Sequence, residues 1–494
     1  MSATSATTAP QGKTFLGHPR GLSTLFFTEM WERLSYYGMK AILFLYMSRE
    51  ILHGGLAIDP ALAKALVAVY GAAIYMSGIV GGWLADRLLG SRRAVLYGGV
   101  LIMLGHIALA LPLGEGALFA SMILLVLGTG LLKPNISNMV GGLYAEDDRR
   151  RDAGFSVFYM GVNLGAVIGI YGVGAVGEKV DFHAGFSIAA IGMAVGLIQY
   201  VIGKRNLPVN GELPTNPVTL EQRSKLGVRV GGGLVAFAVL LAALAVTGVL
   251  SIQLVIDAIS VLSVTLPVVY FVWMYRSERT TGVERSRLLA YVPLFVASMF
   301  FWFVQEQGSS TLVEYTDKRI SDMDLFGWTI PVSWFQSINP VVIIGGAPLF
   351  ALMWMKLGKR QPTTPRKFAI GLLFGGASFL AIIVPHLTAS PDARVGAGWL
   401  ALSYLLVTIG ELFLSPVGLS ATTKLAPKAF AAQTMGLWFM SNAAAQGVTA
   451  QVVPFYAPGA EVRYFGLGGL AVVAVGVLIW VLSPVIHRKM AGVD

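Results

Sequence analysis

Long apolar stretches alternate with short polar ones along the whole chain, and their spacing predicts helices that cross a membrane. A spanning helix needs about 20 mostly apolar residues. Candidate windows run over 21–49, 62–86, 94–113, 118–142, 154–176, 184–203, 230–249, 252–275, 288–314, 332–356, 367–388, 396–423, 431–454 and 463–487. Several exceed what a straight span requires, which implies tilt. The polar punctuation groups them. Segment 204–229 is basic and rich in Pro and Asn and reads as a linker, and a second basic connection covers 276–287. The resulting reading is an all-α integral membrane protein of fourteen spans. It has a six-helix bundle within 1–203, linkers and an inserted helix pair over 204–287, and a second six-helix bundle within 288–494. Two six-helix halves around a midplane site are a recurring transporter plan. The inserted pair bears almost no ionisable group, Asp257 excepted, and reads as lipid-facing and chemically blank.

Composition supports the membrane and removes other settings. Hydrophobic residues make up 55% of the chain and charged ones 13%, against roughly 25% charged in a soluble domain. So little polar surface cannot cover a core in water, and lipid is the remaining solvent. The net charge of +10 would raise nucleic-acid binding in a soluble protein. Here the cations sort by loop instead. Of the 36 Lys and Arg, 26 fall on the side of the N-terminus, 7 on the other side, and Arg33, Lys40 and Lys133 inside spans. The positive-inside rule then predicts a multi-pass protein of the cytoplasmic (inner) membrane with both termini cytoplasmic. The first twenty residues lack the apolar core of a cleaved signal, so the first span is expected to direct insertion. There is no cysteine, which excludes disulfides and thiolate chemistry.

Charges inside spans are costly and mark function by default. The first helix concentrates them: Glu32, Arg33, Tyr36 and Lys40 each fall within about 60° of Glu29, on one face, at 100° per residue. Glu29–Arg33 and Glu32–Arg33 could be a purely structural lattice, but Lys40 and the tyrosines continue the stripe without a local partner. Lys133 is followed by Pro134, which predicts a kink or a loosened carbonyl. Asn163 lies in the glycine-rich fifth helix, where close backbone approach is possible. The second half supplies Glu306, Asn339 and Glu411, with Pro416 and Gly418 predicting a broken helix beyond the last acid. Arg33, Lys40 and Lys133 thus make a basic wall, and Glu306 and Glu411 an acidic one. Facing each other, the two walls suit a zwitterion. Desolvated carboxylates also take up protons readily, which favours H⁺ over Na⁺ as the coupling ion. Tyr36, Tyr37, Tyr70, Phe158, Trp302, Trp334 and Trp438 could line the space, though each taken alone reads as core or interface.

Several of these segments resemble one family. EMWERLSYYG at 29–38 is similar to the ExxERxxYYG signature of the proton-dependent oligopeptide transporters, within the major facilitator superfamily. FSVFYMGVNLGA at 155–166 resembles that family's second signature, and GGWLADRLLGSRR at 81–93 the loop motif of the superfamily. GLLKPN and ELFLSPVG fit as well. The resemblance implies a proton-coupled symporter for di- and tripeptides working by alternating access, without a cofactor other than the proton. It implies coupling and gating by Glu29, Glu32, Arg33, Lys133 and Glu306. Peptide binding would fall to Arg33, Tyr36, Tyr37, Lys40, Tyr70, Lys133, Asn163, Asn339 and Glu411, with Trp438 and Ser441 flanking a side-chain pocket. Lys40 and Leu34 stand where many members have Arg and Phe, so carboxylate geometry is less tightly fixed. A monomer is expected. The rival cargo is nitrate or another small organic anion, against which Glu411 argues. No HExxH, P-loop or dinucleotide motif supports a membrane enzyme, and paired buried charges suit a switching carrier better than a passive channel.

Overall fold

The apolar windows become helices that bury one side against each other and leave the other to lipid. The computed structural model describes residues 14–145, 148, 150–207, 211–321, 323–325, 327–390 and 393–493; Lys13 and Arg149 of the loop-charge count lie outside them. Its α-helices are α1 (Gly21–Ser48), α2 (Pro60–Leu84), α3 (Ser91–Ala110), α4 (Glu115–Gly141), α5 (Arg151–Lys179), α6 (Phe182–Gly203), α7 (Leu220–Val246) and α8 (Ile252–Arg276). There follow α9 (Gly282–Gln305), α10 (Thr311–Arg319), α11 (Ile338–Leu357), α12 (Thr364–Ile383), α13 (Ala397–Leu425), α14 (Ala431–Val452) and α15 (Glu461–Lys489). All but the short α10 match the predicted windows. Twelve of them are long and apolar enough to cross a membrane by themselves. The remaining two of spanning length are α1, with its four charged side chains, and α14, whose run of Gln, Ser, Asn and Thr is nearly as polar.

Local chemistry sets the ends. Asp59 accepts hydrogen bonds from the amides of Ala61 and Leu62 with Pro60 in the first turn. Thr281 and Glu284 form a capping box, which starts α9 six residues before its predicted window. One buried apolar cluster draws mainly on α1–α6, and a second on α9 and α12–α15. Two short two-stranded ladders, 320–321 with 395–396 and 324–325 with 328–329, lie among the loops after α10.

Three expectations are corrected. The span predicted over 288–314 is interrupted: α9 ends at Gln305, residues 306–309 form a 3₁₀ turn, and α10 carries on from Thr311. Helix α13, by contrast, runs unbroken past Pro416 and Gly418. Gly418 serves packing there, since a Cβ on it would overlap the Trp438 ring. Helix α4 passes through Pro134 without ending, and side chains of Asn135 and Ser137 donate to the carbonyls of Leu131 and Lys133. The inserted pair is not blank either. Helix α7 is largely exposed, but α8 packs on both α2 and α14. Asp257 on α8 accepts from Gln451 of α14 at 2.9 Å.

Helix α5 brings the charged face of α1 inward through its glycines. A Cβ on Gly165 or Gly169 would overlap the carbonyl of Met30 or Leu34. Gly169→Val is expected to destabilise by about 1–3 kcal/mol or more, lowering the midpoint of a detergent thermal-stability scan. Gly172→Val, where a Cβ meets nothing within 4 Å, leaves the midpoint unchanged.

Candidate functional site

The stripe on α1 is buried and faces the interior. Arg33 is 1% exposed. Its guanidinium forks onto Glu32, with Nη2 2.7 Å from Oε1 and Nε bonded to the second oxygen. Its Nε also lies 3.2 Å from Glu29 Oε1. The lattice within α1 therefore exists, but it does not consume the stripe. Among the described residues Glu29 Oε2 is buried without a hydrogen-bond partner, as is the Tyr70 hydroxyl on α2. Arg33 sits over the rings of Tyr36 and Tyr37, 5.0 and 5.8 Å from their centres.

Lys40 makes the central contact. Its Nζ is 2.7 Å from Glu306 Oε2, at the interruption between α9 and α10. The other Glu306 oxygen accepts from Asn442 of α14 at 2.9 Å. The helix break places this acid where it can turn toward α1. Lys133, on α4, lies 5.3 Å from the centre of the Tyr75 ring and interacts electrostatically with Glu29, Glu32, Arg33 and Glu306. No ion pair of Lys133 is present among the described residues.

The second acid is separate. Glu411 on α13 accepts from Asn339 at 2.8 Å and from Gln305 at 3.2 Å. Asn339 also donates to Thr408 at 3.1 Å. These donors are neutral, so Glu411 is a buried carboxylate without a cationic partner among the described residues. Tyr159 of α5 interacts with both Glu411 and Tyr37, yet is 48% exposed. A side chain so exposed between groups of both halves marks an open space between them. Asn163, one turn on, donates to the Tyr159 carbonyl at 3.0 Å.

Two predicted residues stand apart from this space. Ser441 is fully buried, its hydroxyl 2.8 Å from that of Ser298 and bonded to the Trp438 carbonyl. Trp438 packs against Phe368 in the second apolar cluster. Both hold helices together in this conformation. Sequence reading missed Tyr75, Tyr159, Gln305 and Asn442. Tyr159 was legible from its i,i+4 spacing to Asn163, and Asn442 as an amide i,i+4 from Gln446 across three alanines. Tyr75 and Gln305 carried no comparable signal.

Cross-half contacts gather toward one end. Arg49 pairs with Asp317 at 3.3 Å, Lys64 with Glu314, and Glu178 accepts from the amides of Val332 and Ser333 at 2.8 Å each. Ser337 bonds the Tyr171 hydroxyl at 2.9 Å.

Long apolar helices meeting around ionised side chains define a polytopic membrane transporter. The family model of the POT family matches residues 92–470. The chain is 51% identical to the uncharacterized transporter YclF of Bacillus subtilis (strain 168), covering 97% of each. It is 42% identical to a di-/tripeptide transporter of Lactococcus lactis subsp. cremoris, covering 97% of this chain and 98% of the relative. A crystal structure of peptide transporter POT in complex with sulfate superposes with a TM-score of 0.95 at 55% identity over 97% of each chain. The chain belongs to the POT family.

Removing one member of a buried ion pair strands the other charge, at a cost of about 3–5 kcal/mol, whereas an apolar replacement of both is often neutral. Lys40→Met is therefore expected to lower the thermal midpoint clearly, and Lys40→Met/Glu306→Leu to recover most of the loss.

Proposed function

We propose that this protein is a proton-coupled symporter that imports di- and tripeptides by alternating access, its two six-helix halves rocking about a shared cavity. The observation that carries the reading is the pair of buried acids in the second half. Glu306 is neutralised by Lys40 from the first half, while the hydrogen-bond donors to Glu411 among the described residues are the neutral amides of Asn339 and Gln305. A peptide ammonium supplies the cation that Glu411 lacks. The peptide carboxylate goes to the opposite wall of Arg33, Lys40 and Lys133, with Tyr36, Tyr37, Tyr70, Asn163 and Asn339 about the backbone. The match to a relative named a di-/tripeptide transporter, over nearly the whole chain, supports the same substrate class.

Proton coupling follows from the ion pair. A proton on Glu306 removes the charge that holds Lys40 and frees the ammonium for the incoming carboxylate. Glu29, Glu32 and Arg33 form a second proton-sensitive group on the same helix, within reach of Lys133. The charges of Lys40 and Glu306 are thereby balanced by each other, by a proton or by the peptide. Excess Lys and Arg on the N-terminal side puts both termini in the cytoplasm. The closed end, where Arg49 meets Asp317, then faces outward, and the exposed Tyr159 marks a cavity open to the cytoplasm.

Purified protein in proteoliposomes is expected to accumulate labelled dialanine under an inward proton gradient. A protonophore abolishes that accumulation, and a sodium gradient does not replace it. Uptake of nitrate or another anion with no dialanine uptake overturns the substrate reading. Glu411→Gln is expected to weaken binding of free peptides by about tenfold or more, the worth of a charge-assisted contact of roughly 1.5–3 kcal/mol. N-blocked peptides, measured by competition, should change little; an equal loss for both removes the ammonium assignment.

A further inference from the structure

The two helices that carry Lys133 and Tyr159 continue past them toward the cytoplasm and enclose a second, smaller space. Ser137 and Gly141 follow Lys133 along α4 in four-residue steps, and Phe155 and Arg151 precede Tyr159 along α5 in the same steps. Each step turns a helix by only about 40° beyond a full turn, so these positions stay near the side that faces the main site. Ser137, Asn138, Gly141, Tyr144, Arg151 and Phe155 line a cavity of about 370 Å³ there. Eight residues of helix separate its far end from Lys133 and Tyr159, a distance of about 12 Å.

Arg151 makes this cavity cationic. It opens α5, is exposed, and forms no salt bridge among the described residues. Its neighbour Arg150 takes Asp148 instead, Nη2 standing 2.9 Å from Oδ2. The Arg151 guanidinium lies over Gly141, where an added Cβ would meet Nη2 at 3.4 Å. A cation in the first turn also adds to the positive end of the helix dipole, and Arg150 at the N-cap makes no side-chain bond to that end. Both fields favour an anion in the cavity. Around it, Asn138 offers an amide, and the Tyr144 hydroxyl is held 3.0 Å from His18 Nδ1. The Ser137 hydroxyl reaches back to the Lys133 carbonyl at 3.3 Å, and the Phe155 ring supplies an apolar wall.

We propose that Arg151 and this cavity form an exit subsite for the carboxylate of a departing peptide. A carboxylate that leaves the Arg33–Lys40–Lys133 wall passes along α4 and α5 before it reaches bulk water. Arg151 is the next cation on that route, and Lys40 meanwhile returns to Glu306. An exposed guanidinium holds a carboxylate weakly, so the peptide is passed on and not retained. The subsite therefore acts on the rate of release, a step that often limits turnover, and it favours cargo with a free carboxylate. The proposal rests on the symport reading, so its test includes a measurement that needs no uptake.

The chain has no cysteine of its own, so Ser137→Cys places a single thiol in the cavity. Its labelling in purified protein is compared between an anionic and a cationic methanethiosulfonate of similar size. The anionic-to-cationic rate ratio is expected to fall about tenfold when Arg151→Gln is added, and Arg151→Lys to keep most of it. Dialanine at saturating concentration slows labelling by the anionic reagent. Arg151→Gln removes that protection, and dialanine amide, which lacks the carboxylate, gives none. Should Ser137→Cys fail to fold, the exposed Asn138→Cys takes its place. An unchanged ratio in Arg151→Gln, or dialanine protection that survives it, overturns the subsite. Equal protection by inorganic phosphate at the same concentration marks a general anion site and overturns the peptide assignment. In proteoliposomes Arg151→Gln alone is expected to lower the maximal rate of proton-driven dialanine uptake about threefold, with equilibrium affinity for dialanine unchanged and Arg151→Lys restoring the rate. A parent-like maximal rate overturns the subsite and leaves the symport reading standing, whereas no dialanine uptake by the parent protein removes the symport reading itself.

Discussion

A charge in a lipid-embedded interior must be answered, and the arrangement of this protein depends on the answer being given across the gap between the halves. Lys40 of α1 and Glu306 at the end of α9 meet at 2.7 Å. Neither has another fully charged partner as close among the described residues. Separating them in a low-dielectric medium is costly unless a proton or a ligand group takes the place of the lost partner. That constraint converts a static ion pair into a coupling device. It also explains why Arg33 is held differently: with Glu29 and Glu32 on its own helix, it stays compensated whichever way the halves move.

The interruption at 306–309 lets one helix serve two stations. A continuous helix would carry Glu306 and Glu314 at a fixed angle, eight residues apart and about 12 Å along the axis. The 3₁₀ turn resets that angle, so the first acid meets α1 and the second meets α2. Breaks in membrane helices are tolerated where they line a cavity or are buried by neighbours. Here Gln307 and Ser309 bond back to the carbonyls of Phe303 and Glu306. Helix α8 adds a further restraint, since it leans on α2 and α14 together and holds Gln451 through Asp257.

Glycine and small polar side chains do the remaining positioning. The α1–α5 crossing is close because Gly165 and Gly169 put backbone against backbone, which turns the acid-base face of α1 away from lipid. In the second half, Asn339 and Gln305 orient Glu411 without neutralising it. A cavity built in this way has a compensated acid beside an uncompensated one. That asymmetry distinguishes a proton from a ligand ammonium as the counter-charge.

What the sequence determined by itself is local and periodic. Apolar runs of spanning length located the membrane helices, because lipid demands an apolar surface over a set distance and a backbone bonded within the segment. The 3.6-residue period placed Glu29, Glu32, Arg33, Tyr36 and Lys40 on one face, and insertion cost singled out Lys133, Glu306 and Glu411. Which charge meets which was decided only by the tertiary structure. Lys40 and Glu306 are 266 residues apart, and no periodicity relates them. The same holds for Lys64 and Glu314, for Tyr159 near Glu411, and for the packing that withdraws Ser441 from the cavity. Helix breaks followed packing as well: Pro416 and Gly418 lie in an unbroken helix whose neighbour fills the glycine's space, whereas the apolar run around Glu306 breaks without a proline. Propensity is a matter of a few residues, and a pairing of buried charges across two bundles is settled by all the helices that bring them together.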